Sequence, residues 1–228
     1  MNSIPFAFCD AVASILRDFE KLHNFSDSAD NSLWAFVLGE HITKRVSLTL
    51  EIRYADGEWR YRIFRTNNFE ERYFRGKTLK VEDVVKMAKK KSKYLQISKI
   101  EVHLTRFTQQ STVIYDVHRI FDLVKYFANE PDLVIGSIET GEHELADLLS
   151  YLECISFRSM ELRQPHPLCE QFVKGQLRRN CSHLRSVDFR CTDRCSISWS
   201  RELVDALKRC MIEESKWCGV QYSRLVDG

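Results

Sequence analysis

From about residue 78 onward the chain alternates strand-like with helix-like segments, and this alternation constrains the fold more than any other feature. Strand-like stretches occur near Ile100, Val134, Ile155 and Val187, roughly 20–35 residues apart. An amphipathic helical stretch lies in each interval. Because parallel strands need crossover connections of this length, the pattern predicts a largely parallel sheet with crossover helices.

Two arrangements fit such a sheet. A doubly wound sheet carries helices on both faces and requires strands that are apolar throughout. A leucine-rich-repeat-like arc carries helices on one face only. The segments ISKIEVHL (97–104), CISFRSMEL (154–162) and LRSVDF (184–189) alternate apolar with polar side chains. We therefore expect one sheet face to be exposed to solvent, and the arc is the favoured prediction.

The helical segments place their apolar residues at helical spacing. In the first, Val81, Val84, Val85 and Ala88 form one stripe. The predicted helices cover residues 81–95, 114–131, 142–153, 166–177 and 198–215. We expect the second of them to end at Pro131, because proline terminates helices.

A β-hairpin is predicted before this region. Apolar and polar residues alternate over 46–54 and again over 59–63, and Asp56-Gly57 between them suits a tight two-residue turn. Such a turn pairs Tyr54 with Trp59, Ile52 with Tyr61 and Leu50 with Ile63. It also places Glu51 opposite Arg62 and Arg53 beside Arg60 on the other face.

Composition places the chain among folded proteins without a strong charge bias. It has 228 residues, 44% of them hydrophobic and 29% charged, and a net charge of +2. This balance gives no global attraction to nucleic acid or membranes, and no apolar stretch is long enough to span a bilayer. Because the N-terminus lacks a basic start, it is a poor signal peptide, so we expect reduced thiols in the cytoplasm or nucleus.

Four potential zinc ligands, Cys181, His183, Cys191 and Cys195, are close together in sequence. Zinc sites need four ligands, usually as two close pairs, and one residue between Cys181 and His183 is poor spacing. The favoured interpretation is that these thiols pack in the core or lie in a loop. A zinc-stabilised domain around Cys181–Cys195 remains an alternative.

No catalytic motif is recognisable, so we predict no enzyme activity and no cofactor. His143, Glu144 and Asp147 faintly resemble a helical zinc hydrolase motif but also fit the polar face of a helix. His103 and His118 have no evident partners in the sequence. There is no glycine loop for phosphate and no nucleophile elbow.

Two basic features are candidates for binding. The lysine-rich run from Lys89 to Lys93 fits the solvated C-terminal end of a helix, where the helix dipole favours cations. The same run also suits the binding of phosphate groups. The hairpin arginines Arg53, Arg60 and Arg62 fit either a solvent-facing surface or an interface with a charged partner. A nucleic-acid-binding protein using both features is therefore an alternative function.

The N-terminal segment carries apolar residues at helical spacing. Phe8, Val12, Ile15 and Leu16 form one stripe, and Pro5 suits the first turn of a helix. This helix either packs on the hairpin or offers its stripe to a partner's groove.

This N-terminal segment resembles a degenerate F-box. The F-box pattern has Leu-Pro, then apolar residues at four-residue steps, and then a tryptophan roughly 30 residues further along the chain. The chain is similar overall to the nematode family of short F-box and F-box-associated proteins, including ITKRVSLTLEI (42–52) and DGEWRYRIF (56–64). The resemblance implies a substrate-recognition subunit of a cullin–RING ubiquitin ligase that binds a Skp-type adaptor. The residues it would place against the adaptor are Ile4, Pro5, Phe8, Val12, Leu16 and Trp34.

Together these arguments predict an α+β protein: an N-terminal helix and a β-hairpin followed by a leucine-rich-repeat-like α/β arc. We divide it into an F-box-like helical segment (1–40), the hairpin (41–76) and a repeat-like, substrate-binding region (77–228). The predicted function is a non-catalytic protein-interaction scaffold. The predicted partner-binding residues are those six together with Arg53, Arg60 and Arg62.

Overall fold

The fold is an eight-stranded sheet with helices before and between the strands, as seen in a computed structural model. The structure describes residues 6–15, 32–66, 78–91, 94–104, 112–113, 117–139, 141–180, 184–190, 199–213 and 221–223. The described helices are α1 Phe6–Ile15, α2 Ser32–Lys44, α3 Val81–Lys91, α4 Val117–Phe127, α5 Glu142–Leu152, α6 Pro167–Asn180 and α7 Arg201–Glu213. The described strands are β1 Val46–Ala55, β2 Glu58–Arg65, β3 Leu95–Leu104, β4 Thr112–Val113, β5 Ala128–Ile138, β6 Ser159–Leu162, β7 Ser186–Arg190 and β8 Gln221–Ser223.

The strand order is β4-β2-β1-β3-β5-β6-β7-β8. Strands β1, β2 and β4 pair antiparallel, whereas β3, β5, β6, β7 and β8 pair parallel. The parallel strands follow one another in chain order, without the reversal that defines a doubly wound sheet. The fold is therefore mixed α/β, with an N-terminal helix before the strands.

The chain divides into two compact units, residues 1–47 with 82–96 and residues 48–81 with 97–228. The first contains α1 and α2, and its core consists of Cys9, Ala13, Val37 and Leu38. The second contains most of the sheet and helices α4 to α7. Because the hairpin belongs to the second unit, it shares a core with the parallel strands.

The hairpin prediction is confirmed in its register. Tyr54 pairs with Trp59, Ile52 with Tyr61 and Leu50 with Ile63. Both central turn residues have positive φ, 55° at Asp56 and 79° at Gly57. This backbone matches the twist of the two strands, which is why the Asp-Gly pair sets the register.

The sheet of the second unit has one apolar face. Its buried residues alternate with half-buried polar residues along β3, β6 and β7, whereas Leu48–Ile52 of β1 and Leu133–Gly136 of β5 are buried throughout. The apolar set comprises Leu48, Leu50, Ile52, Ile63, Ile97, Ile100, Val102, Leu104, Leu133, Ile135, Met160, Leu162, Val187 and Phe189. Burial of these side chains supplies the main stabilising term of the unit.

Helices α5, α6 and α7 lie side by side. Lys174 on α6 pairs with Glu202 on α7 at 2.9 Å, and Arg179 pairs with Glu153, which follows α5, at 3.3 Å. The four leucines that recur at helical spacing in α5 are buried: Leu145, Leu148, Leu149 and Leu152. None of the described helices has both the length and the apolar character needed to cross a membrane.

The prediction that a helix runs to Pro131 is wrong. Helix α4 ends at Phe127, and Pro131 lies inside β5. The pairing of β5 with β3 is irregular there, because Ile97 faces Ala128 but Lys99 already faces Asp132. Such an irregularity tolerates a proline, which lacks the N–H that a regular ladder needs.

Two further elements differ from the sequence predictions. The strand expected over 154–162 is shorter, because only Ser159–Leu162 pairs with its neighbours. Helix α2, over Ser32–Lys44, was not predicted separately and crosses the boundary placed at residue 40.

Candidate functional site

Helices α1 and α2 present an aromatic patch, defined here as Phe6, Phe8, Trp34 and Phe36. Phe6, Phe8 and Phe36 are 48%, 54% and 61% exposed. The rings pair across the two helices, Phe6 with Phe36 and Phe8 with Trp34, each with centroids 6.4 Å apart. Exposed aromatic rings held by such contacts are typical of protein-binding surfaces.

The patch is exposed because α1 packs through other residues. Among the residues of α1 whose burial is described, 6–13, Cys9 and Ala13 are fully buried, whereas Val12 is half-buried. The predicted stripe Phe8–Val12 therefore lies at the edge of the contact with α2, where Phe8 touches Trp34 but stays half exposed. Of the other residues predicted to bind the adaptor, Ile4, Pro5 and Leu16 lie outside the described part of the chain.

A polar contact that sequence reasoning missed fixes α1 against α2. The imidazole Nε2 of His41, which is fully buried, lies 3.0 Å from Oδ1 of Asp10. The guanidinium of Arg45 donates to the carbonyl oxygen of Ala13 at 2.8 Å. The available signal was Asp10, a charge that interrupts an apolar helix and therefore needs a partner.

The sheet's other face carries polar side chains on β1, β2, β3, β5, β6 and β7, and we call it the polar face. The register places Glu101, Val134, Glu161 and Asp188 in one row across β3, β5, β6 and β7. All of them except the buried Val134 are half-buried. The face is therefore polar as expected, but its charges are partly enclosed.

Glu51 is the most deeply buried charge of the polar face, with 2% of its surface exposed. Each carboxylate oxygen of Glu51 interacts with a different arginine. Arg53 pairs with Oε1, and Nε of Arg62 donates to Oε2 at 2.9 Å. A buried carboxylate is tolerated only when it is paired in this way. Two of the three hairpin arginines predicted to bind a partner thus neutralise a charge within the sheet.

A second charged group lies on β3. Glu101 pairs with Lys99, and the imidazole Nε2 of His103 lies 3.8 Å from its Oε2. The interaction with His103, followed by that with Lys99, lowers the pKa of Glu101 to about 2, against the opposing effect of burial. The interpretation that His103 lacks partners is therefore wrong, because residues two apart on a strand share a face.

Gly136 on β5 provides the space for His103. A Cβ atom at position 136 would overlap the imidazole Nδ1. The ring therefore lies directly over the β5 backbone, and any larger residue at position 136 would force the imidazole to move.

Glu51, Glu101 and His103 form a group whose ligand atoms lie within 4.8 Å of one another. Carboxylate and imidazole groups are metal ligands. However, Arg53, Arg62 and Lys99 already neutralise both carboxylates. A divalent cation would have to displace these cations, so the arrangement favours a charge network over a metal centre.

Arg60, the third hairpin arginine, differs from the other two. It lies directly opposite Arg53. Its Nη2 donates to Glu58 Oε2 at 3.0 Å, but its Nε is buried and has no hydrogen-bond acceptor among the described residues. This guanidinium therefore retains an unused donor on the polar face.

A third polar cluster, also missed by sequence reasoning, joins β5 to β6. Nε of Arg158 donates to Oδ1 of Asp132 at 3.0 Å, and the Ser159 hydroxyl donates to the same oxygen at 2.6 Å. The cluster lies where the pairing of β5 with β6 begins, at Asp132 and Ser159, so its role is to fix that pairing.

The three residues resembling a zinc hydrolase motif do not form a site. His143 and Asp147 are 86% and 62% exposed on α5. Glu144 accepts a hydrogen bond from the Tyr54 hydroxyl at 2.6 Å, which lowers the pKa of Glu144. The motif is thus the polar face of α5, with Glu144 bonded to the end of β1.

The remaining predicted sites are described in part. Cys181, His183, Cys191 and Cys195 lie outside the described residues, as does Lys93 at the end of the lysine-rich run. Lys89 and Lys90 are exposed near the end of α3.

Comparison with known proteins found no matching family, no matching curated protein and no matching solved structure.

Proposed function

We propose that this chain is a non-catalytic protein-interaction scaffold, a substrate-recognition subunit of a cullin–RING ubiquitin ligase in the cytoplasm or nucleus. In this proposal the aromatic patch binds a Skp-type adaptor and the polar face holds the target protein. The exposure of Phe6, Phe8 and Phe36 is the observation that carries the proposal. Aromatic side chains of this kind dominate the energetics of protein interfaces.

The strand order supports the second half of the proposal. Five parallel strands follow one another in chain order, and helices α5, α6 and α7 are neighbours. With right-handed crossovers, this order places successive helices on one side of the sheet. We propose that residues 95–223 form a leucine-rich-repeat-like arc whose polar face is left for a partner.

Co-purification with a Skp-type adaptor tests the proposal. We expect Phe8→Asp and Phe36→Asp to weaken adaptor binding roughly tenfold or more, because each places a charge in an apolar contact. Tyr126→Asp is the matched control, since Tyr126 is an exposed aromatic residue on α4, outside the patch.

The variants should keep the circular dichroism spectrum of the unmodified chain, because the replaced rings are exposed. Absence of adaptor from the unmodified chain would contradict the proposal. Equal loss of binding in Tyr126→Asp would contradict the assignment of the patch.

A further inference from the structure

The unused donor of Arg60 requires an explanation. Other arginines direct their guanidinium groups to carboxylates, including Arg53, Arg62, Arg158 and Arg163. A buried N–H without an acceptor is costly, and such groups are rare in folded proteins. An acceptor supplied by a ligand would remove this cost.

The position of Arg53 indicates what the acceptor is. Like charges directly opposite each other on neighbouring strands are destabilising. The side chains of Arg53 and Arg60 are 21% and 24% exposed, so part of each side chain reaches solvent, although Nε of Arg60 is itself buried. Arg53 is paired with Glu51 and Arg60 with Glu58. An anion beside the two guanidinium groups would reduce their repulsion further, and a rotation of the Arg60 side chain would bring the free N–H to it.

We propose that Arg60, assisted by Arg53, binds an oxyanion carried by an acidic side chain of the protein held on the polar face. This inference rests on the proposed function, because it names the chemistry of the target. The planar guanidinium fork matches the geometry of carboxylate and phosphate groups. Both a glutamate and a phosphoserine side chain carry that chemistry.

The surrounding charges favour a peptide over a nucleic acid. Carboxylates of Glu51, Glu58 and Glu101 are distributed along the same face. A continuous chain of phosphates would meet these carboxylates, whereas a single acidic side chain reaches the arginine pair alone.

Nuclear magnetic resonance of the arginine Nε–H groups tests the inference. Three probes are titrated into the full chain: inorganic phosphate, a blocked alanine peptide with one central glutamate, and the same peptide with phosphoserine in its place. We expect the Arg60 Nε–H resonance to shift with at least one peptide. Arg60→Lys keeps the positive charge but lacks the planar guanidinium group, so it should weaken binding of that peptide about tenfold.

Arg163→Lys is the matched control, since Arg163 pairs with Glu161 on the same face, and it should leave binding unchanged. The two peptide arms distinguish a carboxylate from a phosphate source. The inference is overturned if no probe shifts Arg60, if only inorganic phosphate does, or if Arg60→Lys binds as well as the unmodified chain. Tighter binding of a short oligothymidylate than of either peptide would also overturn it.

The outcome is separable from that of the adaptor experiment. Arg60→Lys should still co-purify with the adaptor, and Phe8→Asp should retain the Arg60 shift. Loss of adaptor binding with a retained Arg60 shift would reject the ligase proposal and keep the oxyanion site.

Discussion

Buried charges on the polar face stabilise this protein only as pairs. Glu51 has two arginines, and Glu101 has Lys99 and His103. Removing one partner from such a group leaves an uncompensated charge, which costs more than the pair itself contributes. The sequence shows these residues as ordinary alternating polar positions, and their depth depends on neighbours from other strands.

Glu101 makes stability depend on pH. Its pKa of about 2 in the folded chain lies below the ordinary value, so its contribution is present above about pH 4.5 and is lost as the pH falls towards 2. We expect Glu101→Gln to lower the free energy of unfolding by up to about 3 kcal/mol at pH 7. The difference from the unmodified chain should shrink below pH 5.

Urea unfolding at pH 7, 5 and 3.5 measures this difference. Glu142→Gln, at an exposed position on α5, controls for the loss of a surface charge. A difference that stays constant over the whole pH range would show that Glu101 acts through packing and not through its charge.

Sequence reasoning succeeded where the information is local and failed where it is not. The hairpin register follows from the Asp56-Gly57 turn and the alternation beside it, all within about twenty residues. The place of Pro131 depends on an irregular pairing with β3, and the space for the His103 ring depends on Gly136 of the neighbouring strand β5. Such contacts are set by strand order, which the local pattern does not specify.

At the scale of elements, two glycines should respond in opposite directions to the same substitution. Gly39 lies within α2, where an added Cβ meets nothing within 4 Å, whereas Gly57 has a φ of 79°. We expect Gly39→Ala to stabilise the chain by about 0.5–1 kcal/mol, because alanine restricts the unfolded chain and favours the helix. Gly57→Ala should destabilise it by about 1–2 kcal/mol, because alanine resists positive φ.

Denaturant unfolding followed by circular dichroism measures both effects. Changes of the same sign in the two variants would contradict either the helical assignment of residue 39 or the turn at residue 57.

At the scale of the whole molecule, the two units present different kinds of surface. The unit with α1 and α2 exposes aromatic side chains, and the unit with the sheet exposes paired charges and the arginines of the hairpin. A net charge of +2 gives no long-range attraction to a polyanion. We therefore propose that short-range contacts at these surfaces select the partners of the chain.

Hydrogen–deuterium exchange of the chain with and without a saturating Skp-type adaptor tests the central claim most directly. Amide exchange reports local opening, which a bound partner suppresses. The account predicts slower exchange in residues 6–15 and 32–44, with the strands of the sheet unchanged. Unchanged exchange in both helices, or protection confined to the strands, would contradict it.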